Sequence, residues 1–303
     1  MASEADSPKR PPRTSVWLEG KPASRPRRTD RGERGERGER GDRGERGERG
    51  GLADPTPAPA LTTGEAAKAV TAKAGAEQPP LLDRDRITTV SVRLLDAEGS
   101  AKFSMRRLAA ELGVTAMSLY WYVDTKDDLL ELALDAVFGE VRVPDLTDGT
   151  ADWRDQLREL AVSYRSLLVR HPWVSPLIGK YLNIGPSSRA FSSAVLAVMG
   201  RTGLAPHGRM GAVSAVFQFV YGFGTIEGHF VQRCVEAGLT QDEYHRHAMG
   251  SIHEQPDVKR AFENAEELME ARGGETVEEM RERDFTFALD LMIAGIEAMR
   301  ERG

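Results

Sequence analysis

The sequence lacks several features that mark particular classes of protein. Cys234 is its single cysteine among 303 residues, which excludes an intrachain disulfide and a cysteine-based zinc site. No apolar run approaches about 18 residues, and the first residues carry Glu4, Asp6 and Lys9 with no apolar core, so neither a membrane span nor a signal peptide is predicted. The formal net charge is −6, so composition alone does not indicate a nucleic-acid partner. These absences predict a soluble, cytoplasmic protein.

Residues 1–80 differ in composition from the rest of the chain. Gly-Glu-Arg and Gly-Asp-Arg triplets repeat between Arg31 and Gly50, and a Pro/Ala-rich stretch follows. The glycine period is that of collagen, but the run has no proline and is far too short for a triple helix. Alternating charges on a glycine-rich backbone with almost no apolar residues instead predict a disordered tail. Its slight excess of basic residues adds, at most, weak and salt-sensitive affinity for DNA.

From Leu81 onward the pattern is helical. Apolar residues recur at spacings of three and four, and no alternating β-branched run occurs, so we predict an all-α fold. Residues 81–143 are assigned to an N-terminal three-helix domain and residues 144–303 to a C-terminal helical domain. The predicted helices cover residues 84–98, 105–112, 116–123, 153–170, 187–199, 207–235 and 277–300.

Two short helices near the start of the first domain form a helix-turn-helix motif. Ser104 is a suitable cap for the first of them, Gly113 ends it with a left-handed turn, and Thr115 caps the second. Two short helices joined by such a turn are typical of proteins that place the second helix in the major groove of DNA. The motif therefore predicts that residues 116–123 form a recognition helix.

The residues of this motif suit the chemistry of a DNA surface. Small, apolar and hydroxyl side chains at the start of the recognition helix can approach base edges, aromatic rings can lie on sugar and phosphate, and cations can bind phosphates. A lysine beside the free amides that open the next helix makes a further phosphate site. The alternative is that the aromatic residues belong to the core, although three consecutive positions sweep about 200° of a helix and cannot all face inward. The candidate contacts are Arg106, Thr115, Ala116, Met117, Ser118, Tyr120, Trp121, Tyr122 and Lys126.

The stretch from Ile87 to Val141 resembles the DNA-binding domain of the tetracycline-repressor family of bacterial regulators. The resemblance rests on Ser104-Met-Arg-Arg-Leu-Ala109, Leu112-Gly-Val114, Ser118-Leu-Tyr-Trp121, Val123-Asp-Thr-Lys126 and Leu129-Leu130. It implies DNA contacts from the recognition helix, from the start of the preceding helix, and from the lysine that opens the fourth helix.

The C-terminal half resembles the regulatory domain of the tetracycline repressors more loosely. The matching segments are Asp152-Trp-Arg-Asp155, Phe219-Val-Tyr-Gly222 and the run from Phe285 to Glu297. The resemblance implies a helical dimerisation domain with an internal pocket, whose occupation changes the spacing of two recognition helices. The last helix is apolar on more than one side, which also favours a homodimer. Such a dimer suits a palindromic operator in double-stranded DNA.

Aromatic residues with a few polar neighbours are candidates for a small-molecule pocket. They are Trp173, Phe217, Gln218, Tyr221 and His229, and ordinary core packing is the alternative for each. Gln218 falls where the tetracycline repressors use a histidine near the drug-bound magnesium, and a glutamine is a poor metal ligand, which argues against tetracycline with magnesium as the ligand. No metal and no cofactor is predicted. Gly222, Gly224 and Gly228 in the long helix allow either a close helix approach or a kink.

Three classes of function compete at this point. The first is a repressor that a small apolar or aromatic molecule releases from its operator. The second is a DNA-binding dimer that is regulated by a protein partner or is independent of any ligand. An enzyme ranks lowest, because the sequence shows no paired nucleophile and base, no phosphate loop and no metal cluster.

Overall fold

The computed structural model describes residues 14–19, 82–255, 257, 260 and 273–302. These ranges contain helices and no strand, so the all-α prediction is confirmed. None of the described helices is long and apolar enough to cross a membrane. The helices are α1 (Val16–Glu19), α2 (Arg84–Lys102), α3 (Met105–Leu112), α4 (Ala116–Leu119), α5 (Lys126–Phe138), α6 (Trp153–Arg170), a 3₁₀ turn (Pro172–Val174), α7 (Ser175–Ile178), α8 (Pro186–Gly200), α9 (Pro206–Ala237), α10 (Gln241–His253) and α11 (Val277–Arg302).

The caps of the first domain form as the sequence predicts. The Ser104 side chain accepts a hydrogen bond from the Arg107 amide, and Gly113 takes a left-handed conformation with φ of 68°. Thr125 and Asp128 form a reciprocal capping box at the start of α5. Gly99, with φ of 76°, interrupts α2 one residue after its predicted end, and a short helical stretch continues beyond it. Local sequence therefore fixes where these helices begin and end.

Helix α4 is shorter than predicted. It ends at Leu119 instead of Val123, and the next residues form turns with bonds of the i to i+3 type, such as Tyr122 N to Leu119 O at 2.9 Å. Val123 is fully buried, and two residues later Thr125 must be extended to cap α5. Because Val123 must be buried and Thr125 must be extended, the chain changes from α-helix to turns after Leu119.

In the second domain α6 and α9 pack backbone against backbone. A Cβ atom at Gly228 would lie 2.7 Å from the carbonyl oxygen of Leu168, and one at Gly224 would lie 3.1 Å from the Leu168 side chain. Gly222 has nothing within 4 Å of the same position. Close packing is thus the structural role of Gly224 and Gly228, whereas Gly222 lies on an open face.

A buried arginine ties α6 to α9 and α11. The Arg165 guanidinium donates to Glu227 at 2.6 and 2.9 Å and to Glu282 at 2.5 Å. It also lies 4.5 Å from the centre of the Phe285 ring. Bidentate pairing and the aromatic face compensate for the removal of this charge from water.

Six residues within the predicted tail are ordered. Residues 14–19 include α1, and Ser15 and Val16 are buried against α5. For these residues the structure differs from the prediction of a solvated tail, because an apolar Val-Trp-Leu run interrupts the polar composition. The remainder of that prediction lies outside the described residues, and the domain boundaries stay a prediction.

Candidate functional site

Helix α4 and the turn after it present large side chains to solvent. Met117 is 71% exposed, Trp121 56% and Tyr120 41%. Leu119 and Val123 from the same stretch are fully buried and fix it on the domain core. The result is a rigid ridge with apolar and aromatic groups on its outer side, which can enter a groove and contact thymine methyl groups and sugars.

Hydroxyl groups at the head of α4 bond to each other. The Thr115 and Ser118 hydroxyls lie 2.9 Å apart, and Thr115 also accepts from the Ser118 amide as the helix cap. Ala116 packs partly against the core. These bonds hold the head of the helix in one geometry before any ligand arrives, and the predicted base contacts of these three residues stay a prediction.

Two neighbouring arginines on α3 are in different situations. Arg107 donates to Glu98 at 2.9 Å and to Glu111 at 3.0 Å, and these carboxylates raise the pKa of its guanidinium. Arg106 is exposed beside the ridge, and no salt bridge to it occurs among the described residues. Of these two arginines, Arg106 is thus the one without a carboxylate partner among the described residues, and its contact with a phosphate stays a prediction.

The side chains of the other two predicted contacts, Lys126 and Tyr122, interact with other parts of the protein. Lys126 Nζ lies 3.5 Å from the Ser100 carbonyl oxygen and 5.7 Å from the centre of the Phe103 ring. The Tyr122 hydroxyl donates to the Leu82 carbonyl oxygen at 2.6 Å, and its ring packs against the core. Tyr122 thus joins the turn to the start of α2, and contact of either residue with DNA stays a prediction.

The five predicted pocket residues do not meet in one cavity. Phe217 packs among the rings of Tyr164 and Phe191 inside the second domain. The Tyr221 hydroxyl donates to the Ser175 carbonyl oxygen at 2.9 Å, while Gln218 is exposed. Trp173 and His229 line a groove between the two domains.

This junction groove has a volume of about 470 Å³. One wall is the end of α2, including Leu95 and Ala101, and the other is formed by Trp173 with the last turns of α9, including His229 and Gln232. Its size suits a small organic molecule. A molecule bound there would touch the DNA-binding domain and the second domain together.

A buried histidine crosses the same junction. His171 Nδ1 lies 2.6 Å from Asp96 Oδ1 in α2, and Nε2 lies 3.2 Å from Glu140 Oε2. The Trp173 indole donates to the same Asp96 oxygen at 2.6 Å. Burial opposes the charged imidazolium, but the hydrogen bonds and charges of the two carboxylates outweigh it, so the pKa of His171 is raised. Sequence reasoning missed this cluster because its members are widely separated along the chain.

A second groove lies at the far end of α9. It has a volume of about 660 Å³ and runs between the start of α9 and the end of α11, with Leu204, Val216, Met292, Ile296 and Met299 among its walls. Within the described ranges, no group of three histidine, cysteine or acidic side chains is placed to hold a metal ion.

The fold and the exposed ridge define a helix-turn-helix protein with a second, helical domain. The family model for "Bacterial regulatory proteins, tetR family" matches residues 87–133, and the model for "Tetracyclin repressor-like, C-terminal domain" matches residues 143–300. The chain therefore belongs to the tetR family of bacterial regulatory proteins. The resemblance drawn from the sequence is confirmed.

Several curated relatives are transcriptional regulators by name. An HTH-type transcriptional regulator of Saccharopolyspora erythraea is 42% identical over 143 residues, which is 47% of this chain and 60% of the relative. The HTH-type transcriptional repressor DrrR1 of Streptomyces coeruleorubidus is 36% identical over 55% of this chain and 62% of its own length. The chain thus spans about three fifths of the length of these two relatives. The class G tetracycline repressor of Vibrio anguillarum is 26% identical over 72% of this chain and 95% of its length.

Solved structures share the fold. Apo ActR from Streptomyces coelicolor superposes with a TM-score of 0.57 at 25% identity, covering 73% of this chain and 97% of ActR. ActR in complex with actinorhodin gives a TM-score of 0.54 at 25% identity, covering 72% of this chain and 98% of ActR.

Proposed function

We propose that this protein is a sequence-specific DNA-binding regulator that acts in the cytoplasm as a homodimer, most simply as a repressor released by a small molecule. The observation that carries the proposal is the ridge formed by α4 and the turn after it, where Met117, Tyr120 and Trp121 are exposed, together with the exposed Arg106 on the preceding helix α3. The names of the relatives, which include a repressor, support the same function.

The ridge is tested with a DNA fragment from upstream of the gene, in a mobility-shift titration with competitor DNA. We expect a discrete, competitor-resistant shift. Arg106→Ala should weaken binding several-fold and reduce the slope of log affinity against log salt by about one, because one phosphate contact is lost.

Arg107→Ala is the matched control. It removes the same charge from the next position, but the Arg107 guanidinium already binds Glu98 and Glu111. We expect its salt slope to equal that of the wild type. Equal losses of affinity and slope in both variants would show that Arg106 makes no specific phosphate contact, and the absence of any specific shift would overturn the DNA-binding function.

For the effector, we propose the junction groove as the binding site. Two of the residues predicted from sequence, Trp173 and His229, line it, and its opposite wall belongs to the DNA-binding domain. A molecule that fits the groove in only one arrangement of the domains shifts the population toward that arrangement. The similar protein ActR has been crystallised with actinorhodin, which supports an organic effector here.

The alternative is a dimer that responds to a protein partner or to no ligand. The filled aromatic interior around Tyr164, Phe191 and Phe217 favours it, since these rings occupy the space assigned to a pocket. A panel of aromatic compounds separates the two possibilities by thermal stabilisation and by release of the DNA complex. Compounds that do both support the first function, and a specific DNA complex that no compound stabilises or releases supports the alternative.

A further inference from the structure

Residues 14–19 make specific contacts with α5, the last helix of the first domain. The Ser15 hydroxyl donates to Glu131 Oε2 at 2.5 Å, and the Val16 amide lies 3.3 and 3.4 Å from the two oxygens of the same carboxylate. Ser15 is 1% exposed, Val16 4% and Glu131 7%. A polar side chain of the segment and a carboxylate of α5 are thus buried together and satisfy each other.

Glu131 is the middle member of a row of acids on α5. Asp127, Glu131 and Asp135 are spaced by four residues and therefore lie on one face of the helix. Asp127 accepts from Tyr181 at 2.7 Å and from Lys180 at 3.0 Å. Asp135 accepts from the amides that open α8, at 2.9 and 3.2 Å.

The two outer acids therefore bind the second domain directly, whereas the middle acid binds residues 15 and 16. The row gives α5 three attachment points, and the N-terminal segment supplies one of them.

Trp17 extends the contact to the second domain. It borders a small cavity of about 10 Å³ together with Leu134 of α5 and with Tyr181, Asn183 and Gly185 of the loop between α7 and α8. Asn183 has a positive φ of 51°, and a Cβ at Gly185 would overlap the Asp135 carboxyl group. The loop backbone at Gly185 therefore packs closely on Asp135, and Trp17 borders the same small cavity as the loop.

We propose that residues 14–19 are an intramolecular peptide ligand whose docking restrains α5 and the α7–α8 loop in one arrangement. The site takes a peptide with a hydroxyl side chain followed by a β-branched and an aromatic residue. The hydroxyl and the following amide bind the Glu131 carboxylate, the β-branched side chain enters the core, and the aromatic ring covers the loop.

A short segment with few contacts can hold its site because both belong to one chain. Covalent linkage commonly gives effective concentrations on the order of millimolar, so a segment of modest affinity stays bound and is still displaced by a competitor. The docked segment thus offers a restraint that can be removed without unfolding either domain.

The proposal is tested by hydrogen exchange on the full chain, without DNA or effector. The amides of residues 16–19 all have acceptors, three of them on Ser15. We expect them to exchange at least about tenfold more slowly than an unstructured peptide. Val16→Asp places a second negative charge beside the buried Glu131 carboxylate and should release the segment. We also expect this variant to raise exchange several-fold in residues 181–188.

Leu18→Asp is the matched control, since Leu18 is 63% exposed in the same segment. It adds the same charge and should leave exchange in residues 16–19 and 181–188 as in the wild type. Exchange of residues 16–19 at unstructured rates in the wild type would overturn the docking. Unchanged exchange in residues 181–188 of Val16→Asp would overturn the restraint. Neither result bears on DNA binding, so the two proposals fail separately.

Discussion

At the scale of single residues, His171 connects the two domains through carboxylates on both sides of its ring. His171 is 3% exposed, and each of its ring nitrogens faces a carboxylate, Asp96 at Nδ1 and Glu140 at Nε2. Arg170 also donates to Glu140. Burial disfavours the charge, but the carboxylates outweigh burial and raise the pKa of His171. The two carboxylates thus favour the charged imidazolium, and the contact of His171 with Asp96 joins the first domain to the second.

This arrangement predicts a pH dependence of stability. A group whose pKa is raised by folding contributes stability that is complete below its unfolded pKa, about 6.5 for histidine, and is lost as the pH rises through the folded pKa. The melting temperature of the wild type should therefore exceed that of His171→Gln by a few degrees, roughly, near pH 6. The difference should shrink as the pH rises from about 6.5 through the raised pKa of His171, and should then level off.

The measurement is a set of thermal melts across pH for both proteins. His207→Gln is the control, because His207 is an exposed histidine on the wall of the second groove, at the start of α9. A difference that is constant or grows with rising pH would contradict a charged His171 at the junction.

At the scale of helices, the second domain depends on the close approach of α6 and α9. Gly228→Ala would place a Cβ 2.7 Å from the Leu168 carbonyl oxygen, which is backbone and cannot rotate away. The two helices must separate, and we expect a loss of about 1–3 kcal/mol in the free energy of unfolding. Urea unfolding measures it.

Gly250→Ala is the control for this substitution. Gly250 is exposed in α10, with nothing within 4 Å of the new Cβ. The better helix propensity of alanine should raise stability by up to about 1 kcal/mol. Equal effects of the two substitutions would show that α6 and α9 are not in backbone contact at this point.

The helices whose ends are set locally could be predicted from sequence. Ser104, Gly113 and Thr115 act on residues within four positions, and the structure confirms all three caps. The end of α4 could not be predicted, because it depends on where Val123 is buried. The same limit hid the bonds from His171 to Asp96 and from Ser15 to Glu131, which join residues 75 and 116 positions apart.

The candidate site was predictable only where it depends on local sequence. The helix-turn-helix pattern located the exposed ridge, since Met117, Tyr120 and Trp121 lie outward. The pattern did not show that Arg107 is paired with carboxylates and Arg106 is not, because only the fold brings Glu98 to within 2.8 Å of Arg107. The pocket residues were predicted from residue type alone, whereas the fold decides where each side chain lies, on α9 for four of them and in the 3₁₀ turn for Trp173.

At the scale of the whole molecule, α11 and α9 of the second domain both expose large apolar side chains. Phe287 is 73% and Leu291 65% exposed on α11, and Ile226 on α9 is 71% exposed. Ala294 and Ala298 continue the α11 stripe, and Gly222 lies open on α9. An apolar face of this kind with small residues suits a second copy of the same face, related by a two-fold axis.

Leu291→Lys should weaken this association by roughly 30-fold or more, which corresponds to about 2 kcal/mol at a central interface residue. Light scattering at micromolar concentration measures the mass. Leu196→Lys is the control, since Leu196 is 53% exposed on α8 and outside this face. Dimers of unchanged strength in Leu291→Lys would place the interface elsewhere.

The brevity of α4 limits how much sequence a single copy can read. Four residues at 1.5 Å each span about 6 Å, which is less than two base-pair steps along a strand. A target of so few bases recurs by chance very many times among the roughly 10⁶–10⁹ competing sites of a genome. Selectivity then requires two short base sequences at a fixed separation, one for each copy of α4 in the proposed dimer. The DNA sequences that the proposed dimer selects are set as much by the distance between its two α4 helices as by the side chains of these helices.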